Sequence, residues 1–467
     1  MRYVSTRGQA PVLGFEDAML AGLARDGGLY VPEAWPQWPR EAFEALVGRP
    51  YEAVALAVMR PFVGDAFTEA ELAEDVAAAY AAFPHPARAP LVQVDAADWL
   101  LELHHGPTLA FKDFALQLVG RLFERALRRR GERVTIVVAT SGDTGSAAIE
   151  AFRGLEAADV FVLYPYGRVS EVQRRQMTTP AEANVHALAV EGDFDDCQAL
   201  VKALFADLPF RDAMRLGALN SINWARVLAQ AVYYVTAALS LGAPGRAVGF
   251  SVPTGNFGDV FAGYVAKRLG LPISRLIVAT NVNDILHRTL ETGRHERRGV
   301  TPTASPSMDI EVSSNFERLL FELHDRDGAA VRALMAELRE GGFRLSQGRL
   351  GALRAMFASA RADEAETAGE IRRTQAETGR VIDPHTAVGR AAARKARGEA
   401  QGDATAPMVT LATAHAAKFP DAVEAACGLR PALPPRLADL FDRPERSARV
   451  RNDLAAVQAV IREKARP

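Results

Sequence analysis

The chain reads RVTIVVATSGDTGSAAIEAF from residue 133 to residue 152. The first seven residues form a β-branched apolar run of strand length, and the next six contain two glycines and four hydroxyl or acidic residues. From about Ser146 onward, apolar residues recur at helical spacing. The stretch therefore predicts a strand, a tight loop and a helix, which is the repeating unit of a parallel sheet.

The same alternation of strand and helix patterns continues along the chain. Further strands are predicted at 99–104, 160–164, 185–190, 247–252, 276–280 and 408–412. Helical spacing covers 114–130, 224–241 and 316–362. The fold class predicted from this pattern is α/β with a largely parallel sheet.

Three regions are predicted from changes in composition. Residues 1–90 are rich in Ala and Glu, read as mainly helical, and end in a proline cluster that no helix continues through. We predict a smaller α/β domain at 91–240 and a larger one at 241–467. The segments 300–308 and 397–407 read as a loop and a flexible connection.

The overall composition is that of a globular enzyme. The 467 residues are 49% hydrophobic and carry a net charge of -2, which argues against a nucleic-acid partner. Two isolated cysteines form no CxxC motif, and the amino terminus has no apolar signal-peptide region. No apolar run reaches membrane-spanning length. We expect a cytoplasmic protein with no membrane partner.

Two glycine loops stand at predicted strand-to-helix junctions. One is the SGDTG loop at 141–145, and the other is TGNFGD at 254–259. Amides at a helix start attract anions, although an ordinary helix cap is the better explanation of a single such loop. GxxxxGK[ST], GxGxxG, HExxH and GxSxG motifs are missing. Two anion loops without a nucleotide motif favour a small phosphorylated cofactor.

Lys112 lies in the segment HHGPTLAFKDF, residues 104–114. Most lysines are solvated, but this one has Leu109, Ala110, Phe111 and Phe114 around it. Burial in such surroundings lowers the pKa of an amine and prepares it to condense with a carbonyl, while Asp113 would act in the opposite direction. The histidines of the segment lack metal-ligand spacing, so we predict no metal. A reactive lysine with two anion loops indicates pyridoxal phosphate.

Motifs spread along the chain strengthen this interpretation. They are YVSTRG (3–8), DGGLYVP (26–32), the Lys112 segment, SGDTG, NSINWAR (220–226), TGNFGD, SNFER (314–318), DPHTAVG (383–389) and TAHAAKF (413–419). In this order they resemble the threonine synthases of the fold-type II family of pyridoxal-phosphate enzymes. The long amino-terminal region and SGDTG are similar to the enterobacterial and fungal branch.

The resemblance implies a fold and a cofactor site. The fold is two open, largely parallel sheets with flanking helices, as in the β subunit of tryptophan synthase, plus the amino-terminal helical region. Lys112 would be the Schiff-base lysine, and Thr413 would face the pyridine nitrogen. Asp143 stands where asparagine commonly meets the cofactor's 3′ oxygen. The cofactor phosphate would be held by Gly255, Asn256, Phe257 and Gly258.

The resemblance also implies a substrate and a reaction. Ser141 and Thr144 would bind the substrate carboxylate, and Asn220, Ser221 and Arg226 its phosphate. The expected reaction converts O-phospho-L-homoserine and water into L-threonine and phosphate. The alternatives are a phospho-lyase that gives 2-oxobutyrate and ammonia, and a non-catalytic pyridoxal-phosphate-binding protein. We expect a monomer or homodimer.

Overall fold

The computed structural model describes residues 1–399 and 406–466. Two open, largely parallel sheets with helices packed around them form its centre, which confirms the predicted fold class. The strands are β1 (Arg2–Ser5), β2 (Leu13–Gly14), β3 (Tyr30–Pro32), β4 (Leu91–Gln93), β5 (Asp98–Glu102), β6 (Val134–Ala139), β7 (Ala158–Pro165), β8 (Val185–Glu191), β9 (Leu216–Gly217), β10 (Val248–Pro253), β11 (Ile273–Thr280), β12 (Arg294–Glu296), β13 (Gly342–Arg344), β14 (Phe357–Arg361), β15 (Met408–Ala412) and β16 (Ala448–Arg451).

Helices pack around both sheets, and four of them lie in the amino-terminal region. They are α1 (Phe15–Ala21), α2 (Arg40–Glu44), α3 (Tyr51–Val63), α4 (Glu69–Tyr80), α5 (Lys112–Arg130), α6 (Asp143–Phe152), α7 (Glu171–Thr178), α8 (Phe194–Ala206), α9 (Leu208–Ala213), α10 (Trp224–Ser240), α11 (Gly258–Leu269), α12 (Ile285–Thr292), α13 (Phe316–Leu323), α14 (Gly328–Glu340), α15 (Gln347–Met356), α16 (Glu364–Thr378), α17 (Pro384–Glu399), α18 (Pro420–Cys427) and α19 (Leu454–Lys464). In the described part of the chain, no helix is long and apolar enough to cross a bilayer.

The larger sheet has the strand order β14-β11-β10-β15-β5-β4, and only β4 runs antiparallel to its neighbour. The smaller sheet has the order β16-β8-β7-β6-β9, and all of its strands are parallel. Strands β7 and β10 are buried at every position, because helices cover both faces of a parallel sheet. Loops at the carboxyl ends of β6, β10 and β15 carry the glycine motifs and Thr413.

Helix α10 is the central helix of the molecule. It packs against α3, α5 and α11, and this all-round packing explains why its residues are apolar on nearly every face. Its first residue, Trp224, donates from Nε1 to the Tyr3 hydroxyl at 3.0 Å, and Tyr3 donates to the Phe62 carbonyl at 2.8 Å. The amino-terminal region is thereby joined to the helix that begins at the NSINWAR motif.

Residues 316–362 differ from the continuous helical prediction, which was wrong there. The segment contains three helices, α13 to α15, and two strands, β13 and β14. Strand β14 has an Ala- and Ser-rich sequence with no strong strand signal. It becomes a strand because it pairs with β11 at the edge of the larger sheet, where tertiary pairing outweighs local propensity.

The predicted domain boundaries at residues 90 and 240 stay predictions. Each sheet takes strands from both sides of residue 240: β4 and β5 join the larger sheet, and β16 joins the smaller one. The amino-terminal 90 residues hold α1 to α4 and a small antiparallel sheet in the order β2-β1-β3. Of the predicted connection at 397–407, residues 400–405 lie outside the described part of the chain.

Candidate active site

A cavity of about 1090 Å³ lies among the first turns of α5, α6, α10 and α11. All twelve site residues predicted from the sequence line it. They are Lys112, Ser141, Asp143, Thr144, Asn220, Ser221, Arg226, Gly255, Asn256, Phe257, Gly258 and Thr413. Helix starts present free amides and the positive end of the helix dipole, so the cavity favours anionic ligands.

Lys112 is the first residue of α5, and its amine points into this cavity. Its Nζ lies 3.4 Å from Asp143 Oδ2 and 3.3 Å from Ser307 Oγ, and 4.9 Å above the Phe111 ring centroid. Burial lowers the pKa of Lys112; the Asp143 carboxylate opposes that shift, and Lys418 and Arg226 add to it. The amine is therefore easier to deprotonate than a surface lysine.

Asp143 begins α6 and is almost completely buried. Its Oδ1 accepts from Lys418 Nζ at 2.8 Å and from Gln173 Nε2 at 2.9 Å, while Oδ2 faces Lys112. Burial alone would raise the pKa of this carboxyl. Attraction to Lys418, Lys112 and His385 outweighs burial and holds the pKa well below its usual range, so Asp143 is an anion.

The SGDTG loop is shaped by the residue before it. Thr140 Oγ1 accepts from the amides of Gly142 and Gly145, both at 2.9 Å, which closes the loop over a buried hydroxyl. Gly142 has φ +135°, and a Cβ there would lie 2.3 Å from the Gln173 side chain. The loop needs glycine at this point, and it turns Ser141 and Thr144 toward the cavity.

The TGNFGD loop joins β10 to α11. Phe257 adopts the left-handed conformation with φ +62° directly before the helix, a geometry that turns successive amides toward one point. Gly255 lies against the neighbouring loop, since a Cβ on it would be 2.4 Å from the Ser307 carbonyl. These features suit a phosphate held by backbone amides at a helix start.

Arg226 lies in the first turn of α10, which is capped by the Asn223 side chain. Only 3% of the arginine is exposed, and its Nε and Nη1 have no hydrogen-bond partner among the described residues. Burial lowers its pKa to about 10. A buried cation without a counter-ion is costly, and this one lines the cavity, so it is placed to receive an anionic ligand.

Thr413 follows β15, and its backbone is hydrogen-bonded to the segment that contains Lys112. Its carbonyl accepts from the Phe111 amide at 2.8 Å, and Ala110 and Ala414 form an isolated antiparallel bridge. Thr413 and Lys112 are far apart in sequence but line one cavity. The larger sheet accounts for this, because β5 and β15 are adjacent parallel strands that end at the same edge.

Four residues of the site were not assigned from the sequence: Ser307, Lys418, His385 and Asp259. Ser307 comes from the predicted loop at 300–308, which gave no chemical signal. Lys418 is fully buried and lies in the TAHAAKF motif. A lysine among small and apolar residues was the feature of the sequence that could have indicated its burial. His385 Nε2 accepts from the Ser307 amide at 3.2 Å.

Asp259 is the fourth of these residues, in the first turn of α11. Tyr233 and Tyr234 donate to its Oδ1 at 2.6 and 2.9 Å, whereas Oδ2 is buried with no partner in residues 1–399 and 406–466. Burial raises the pKa of this carboxyl to about 6, against the hydrogen bonds from the two tyrosines. The TGNFGD motif thus ends in a carboxyl that titrates near neutral pH.

The residues fit pyridoxal phosphate. A phosphate requires anion-binding amides, which the start of α11 supplies, and the aldehyde requires an amine of lowered pKa, which Lys112 supplies. Among the described residues, no group of three or more His, Cys, Asp or Glu side chains is arranged to hold a metal ion.

Comparison with known proteins agrees with this geometry. Residues 2–80 match the threonine synthase N-terminus family model, 82–414 the pyridoxal-phosphate dependent enzyme model, and 386–461 the threonine synthase C-terminal model. A threonine synthase of Pseudomonas aeruginosa is 55% identical over 99% of this chain and 98% of its own.

Solved structures show the same relationship. The pyridoxal-phosphate-bound threonine synthase of Brucella melitensis has a TM-score of 0.97 at 59% identity and covers all of both chains. The yeast threonine synthase has a TM-score of 0.94 at 40% identity, over 99% of this chain and 98% of its own. With family models covering most of the sequence and these identities over nearly its whole length, the chain belongs to the threonine synthase family of pyridoxal-phosphate-dependent enzymes.

Proposed function

We propose that this protein converts O-phospho-L-homoserine and water into L-threonine and phosphate, with pyridoxal phosphate bound through Lys112. The observation that carries the proposal is Arg226, a buried cation whose Nε and Nη1 find no partner within residues 1–399 and 406–466. It lies in the same cavity as Lys112 but on a different helix from the TGNFGD loop. Two anion-binding sites around one amine match a cofactor and a substrate that each carry a phosphate.

Of the two anion-binding sites, the one at the start of α11 would belong to the cofactor. Gly255, Asn256, Phe257 and Gly258 would hold the cofactor phosphate at the start of α11, and Thr413 would face the pyridine nitrogen. When bound, pyridoxal phosphate supplies an aldehyde for amines and an electron sink beside the carbons that react. Asp143 would lie near the cofactor's 3′ oxygen, where its anionic charge is balanced by Lys418.

The substrate residues lie on the other walls of the cavity. Arg226, with Asn220 and Ser221 before it, would bind the substrate phosphate through forked charge-assisted hydrogen bonds. Ser141 and Thr144, at the start of α6, would bind the substrate carboxylate. These contacts fix the substrate at its two anionic ends and leave its central carbons between them, facing Lys112.

Lys112 would then move the protons. Its neutral amine would take the proton from Cα, a second proton would leave Cβ, and phosphate would depart from Cγ. A proton would then be delivered to Cγ, the hydroxyl of water would add at Cβ, and a proton would return to Cα, so that the net change is the addition of water and the loss of phosphate. The lowered pKa of Lys112 suits the amine to accept a proton and to return it later. Lys112 is only 8% exposed, which limits the number of water molecules that can reach its amine.

The proposal is tested by product analysis. Purified holoenzyme incubated with O-phospho-L-homoserine should release phosphate and threonine in equal amounts. Formation of 2-oxobutyrate and ammonia in place of threonine would identify a phospho-lyase, and no phosphate release would identify a non-catalytic binding protein. We also infer a cytoplasmic location and a monomer or homodimer. Both cysteines are free, as a reducing compartment favours, and sedimentation would measure the assembly.

A further inference from the structure

Lys418 is a fully buried lysine directly behind the cavity wall. It ends the short 3-10 helix Ala416–Lys418 that follows β15. Its Nζ donates to Asp143 Oδ1 and to the Thr108 carbonyl, both at 2.8 Å. An ammonium removed from water in this way needs a counter-ion and further hydrogen bonds. Lys418 therefore joins the SGDTG loop to the segment that carries Lys112.

Asp143 is shared between two lysines in an asymmetric way. Its Oδ1 is 2.8 Å from Lys418 Nζ and also accepts from Gln173, while its Oδ2 is 3.4 Å from Lys112 Nζ and from Ser307 Oγ. The tighter contact belongs to Lys418, the lysine that the reaction does not use. The Asp143 carboxylate therefore interacts more strongly with Lys418 than with Lys112.

The charged groups around the two lysines explain why this matters. The carboxylates of Asp143 and Asp259 attract the ammonium form of Lys112, and Arg226 and Lys418 repel it. His385 acts on Asp143, and Lys418 also attracts the carboxylate of Asp113. A carboxylate beside an amine stabilises the ammonium form, which has no lone pair and is no base. A second cation on the same carboxylate weakens that effect.

We propose that Lys418 is a positioning residue that acts as the counter-ion of Asp143 and so leaves the Lys112 amine able to give up its proton. This inference rests on the proposed role of Lys112 as the cofactor-binding base. The Lys418 amine contacts Asp143 and the Thr108 carbonyl, and it acts on Lys112 through the Asp143 carboxylate. The Asp143 carboxylate can thereby lie in the cavity wall without holding a proton on Lys112, which must work as a base.

The test uses the holoenzyme and the variants Lys418→Met, Asp143→Asn and the double variant. The readout is the pH midpoint of the ratio between the visible and near-ultraviolet absorbance bands of the bound cofactor. Removing Lys418 should raise the midpoint by about one pH unit, since the full charge of Asp143 then acts on Lys112. Removing Asp143 should lower the midpoint, and the double variant should stay close to Asp143→Asn, because Lys418 acts through the carboxylate. A merely structural lysine would not give opposite signs.

Lys395→Met serves as the matched control, because Lys395 pairs with Glu366 at 2.6 Å on the surface and should leave the midpoint unchanged. An unchanged or lowered midpoint in Lys418→Met overturns the inference. If that variant does not fold, Lys418→Gln takes its place: it keeps a hydrogen-bond donor without the charge, and it should raise the midpoint in the same way. Failure of this expectation overturns the counter-ion role.

Borohydride reduction and peptide mapping of each variant separate this inference from the proposed function. Cofactor fixed to a lysine other than Lys112 would contradict the proposed function itself. Cofactor fixed to Lys112 together with the wrong direction of shift would contradict the role of Lys418 alone.

Discussion

Replacing Arg226 with methionine should weaken substrate use and stabilise the ligand-free protein at the same time. The loss of one charge-assisted contact to the substrate phosphate costs about 1.5–3 kcal/mol, which is about a 10- to 150-fold fall in kcat/KM. Affinity for pyridoxal phosphate should stay nearly constant, because Arg226 is assigned to the substrate. Steady-state kinetics and cofactor titration measure the two effects separately.

The stabilising effect comes from the burial of this guanidinium, whose Nε and Nη1 have no partner among the residues described. A fall in pKa from 12.5 to about 10 corresponds to a charge-burial cost of about 3 kcal/mol. An unfolding entropy of about 2 cal/mol/K per residue amounts to about 1 kcal/mol/K for this chain. Methionine fills a similar volume without charge, so the Tm measured without substrate should rise by about 3 °C.

Arg318→Met is the matched control for this effect. Arg318 is equally buried but donates to the Tyr30 and Ile222 carbonyls and to the Asn315 side chain. Burial lowers the pKa of Arg318 further, to about 9, so its charge is at least as costly to bury. Its removal also leaves two buried carbonyls without donors, at about 1–3 kcal/mol each, so Arg318→Met should have a lower Tm than Arg226→Met. A lower Tm in Arg226→Met would show that Arg226 is a structural cation, and equal losses of cofactor and substrate affinity would assign it to the cofactor phosphate.

Three further predictions concern the other walls of the cavity. The purified protein should be yellow, and borohydride should fix the cofactor to Lys112; mapping to another lysine would remove the basis of the site. Thr413→Asp should change the cofactor spectrum and sharply reduce threonine formation, because a carboxylate would favour a protonated ring nitrogen. An unchanged spectrum would mean that Thr413 does not face the ring. Asp259→Asn should raise the Tm at pH 8, by an amount that shrinks toward pH 5. The folded pKa of Asp259 is about 6, above the unfolded value of about 3.9, so ionisation destabilises the folded protein as the pH rises between these values. A pH-independent difference between the two proteins would contradict this.

Local sequence was sufficient to predict the strand–loop–helix units. A β-branched run followed by SGDTG or TGNFGD has a strong period change and glycines at the turn, and the structure places β6–α6 and β10–α11 there. Helix α6 begins at Asp143, three residues before the predicted start, since the loop residues themselves take helical geometry. The edge strand β14 was missed because its pairing with β11 is a tertiary effect that no local pattern records.

Local sequence also predicts the individual residues of the site only in part. The twelve predicted residues line one cavity, and the resemblance to the family carried most of them. Ser307 and Lys418 are different, because their importance lies in contacts with Lys112 and Asp143 across long sequence separations. That Arg226 lacks a hydrogen-bond partner in the part of the chain that the structure describes is likewise a property of the folded cavity, with no signature in the sequence.

The buried charges of the cavity suit the two anionic ligands of the proposed function. Lys112, Lys418 and Arg226 are buried cations, whereas the buried carboxyls that face Lys112 are the ionised Asp143 and Asp259, whose pKa is about 6. Asp143 is committed to the two lysines, which leaves Arg226 without a carboxylate partner in the described residues. A protein that placed an acid beside Arg226 would be more stable, but the substrate phosphate would then have to displace that acid. Under the proposed function, an arginine without a partner among the described residues is a stability cost that the substrate phosphate would offset.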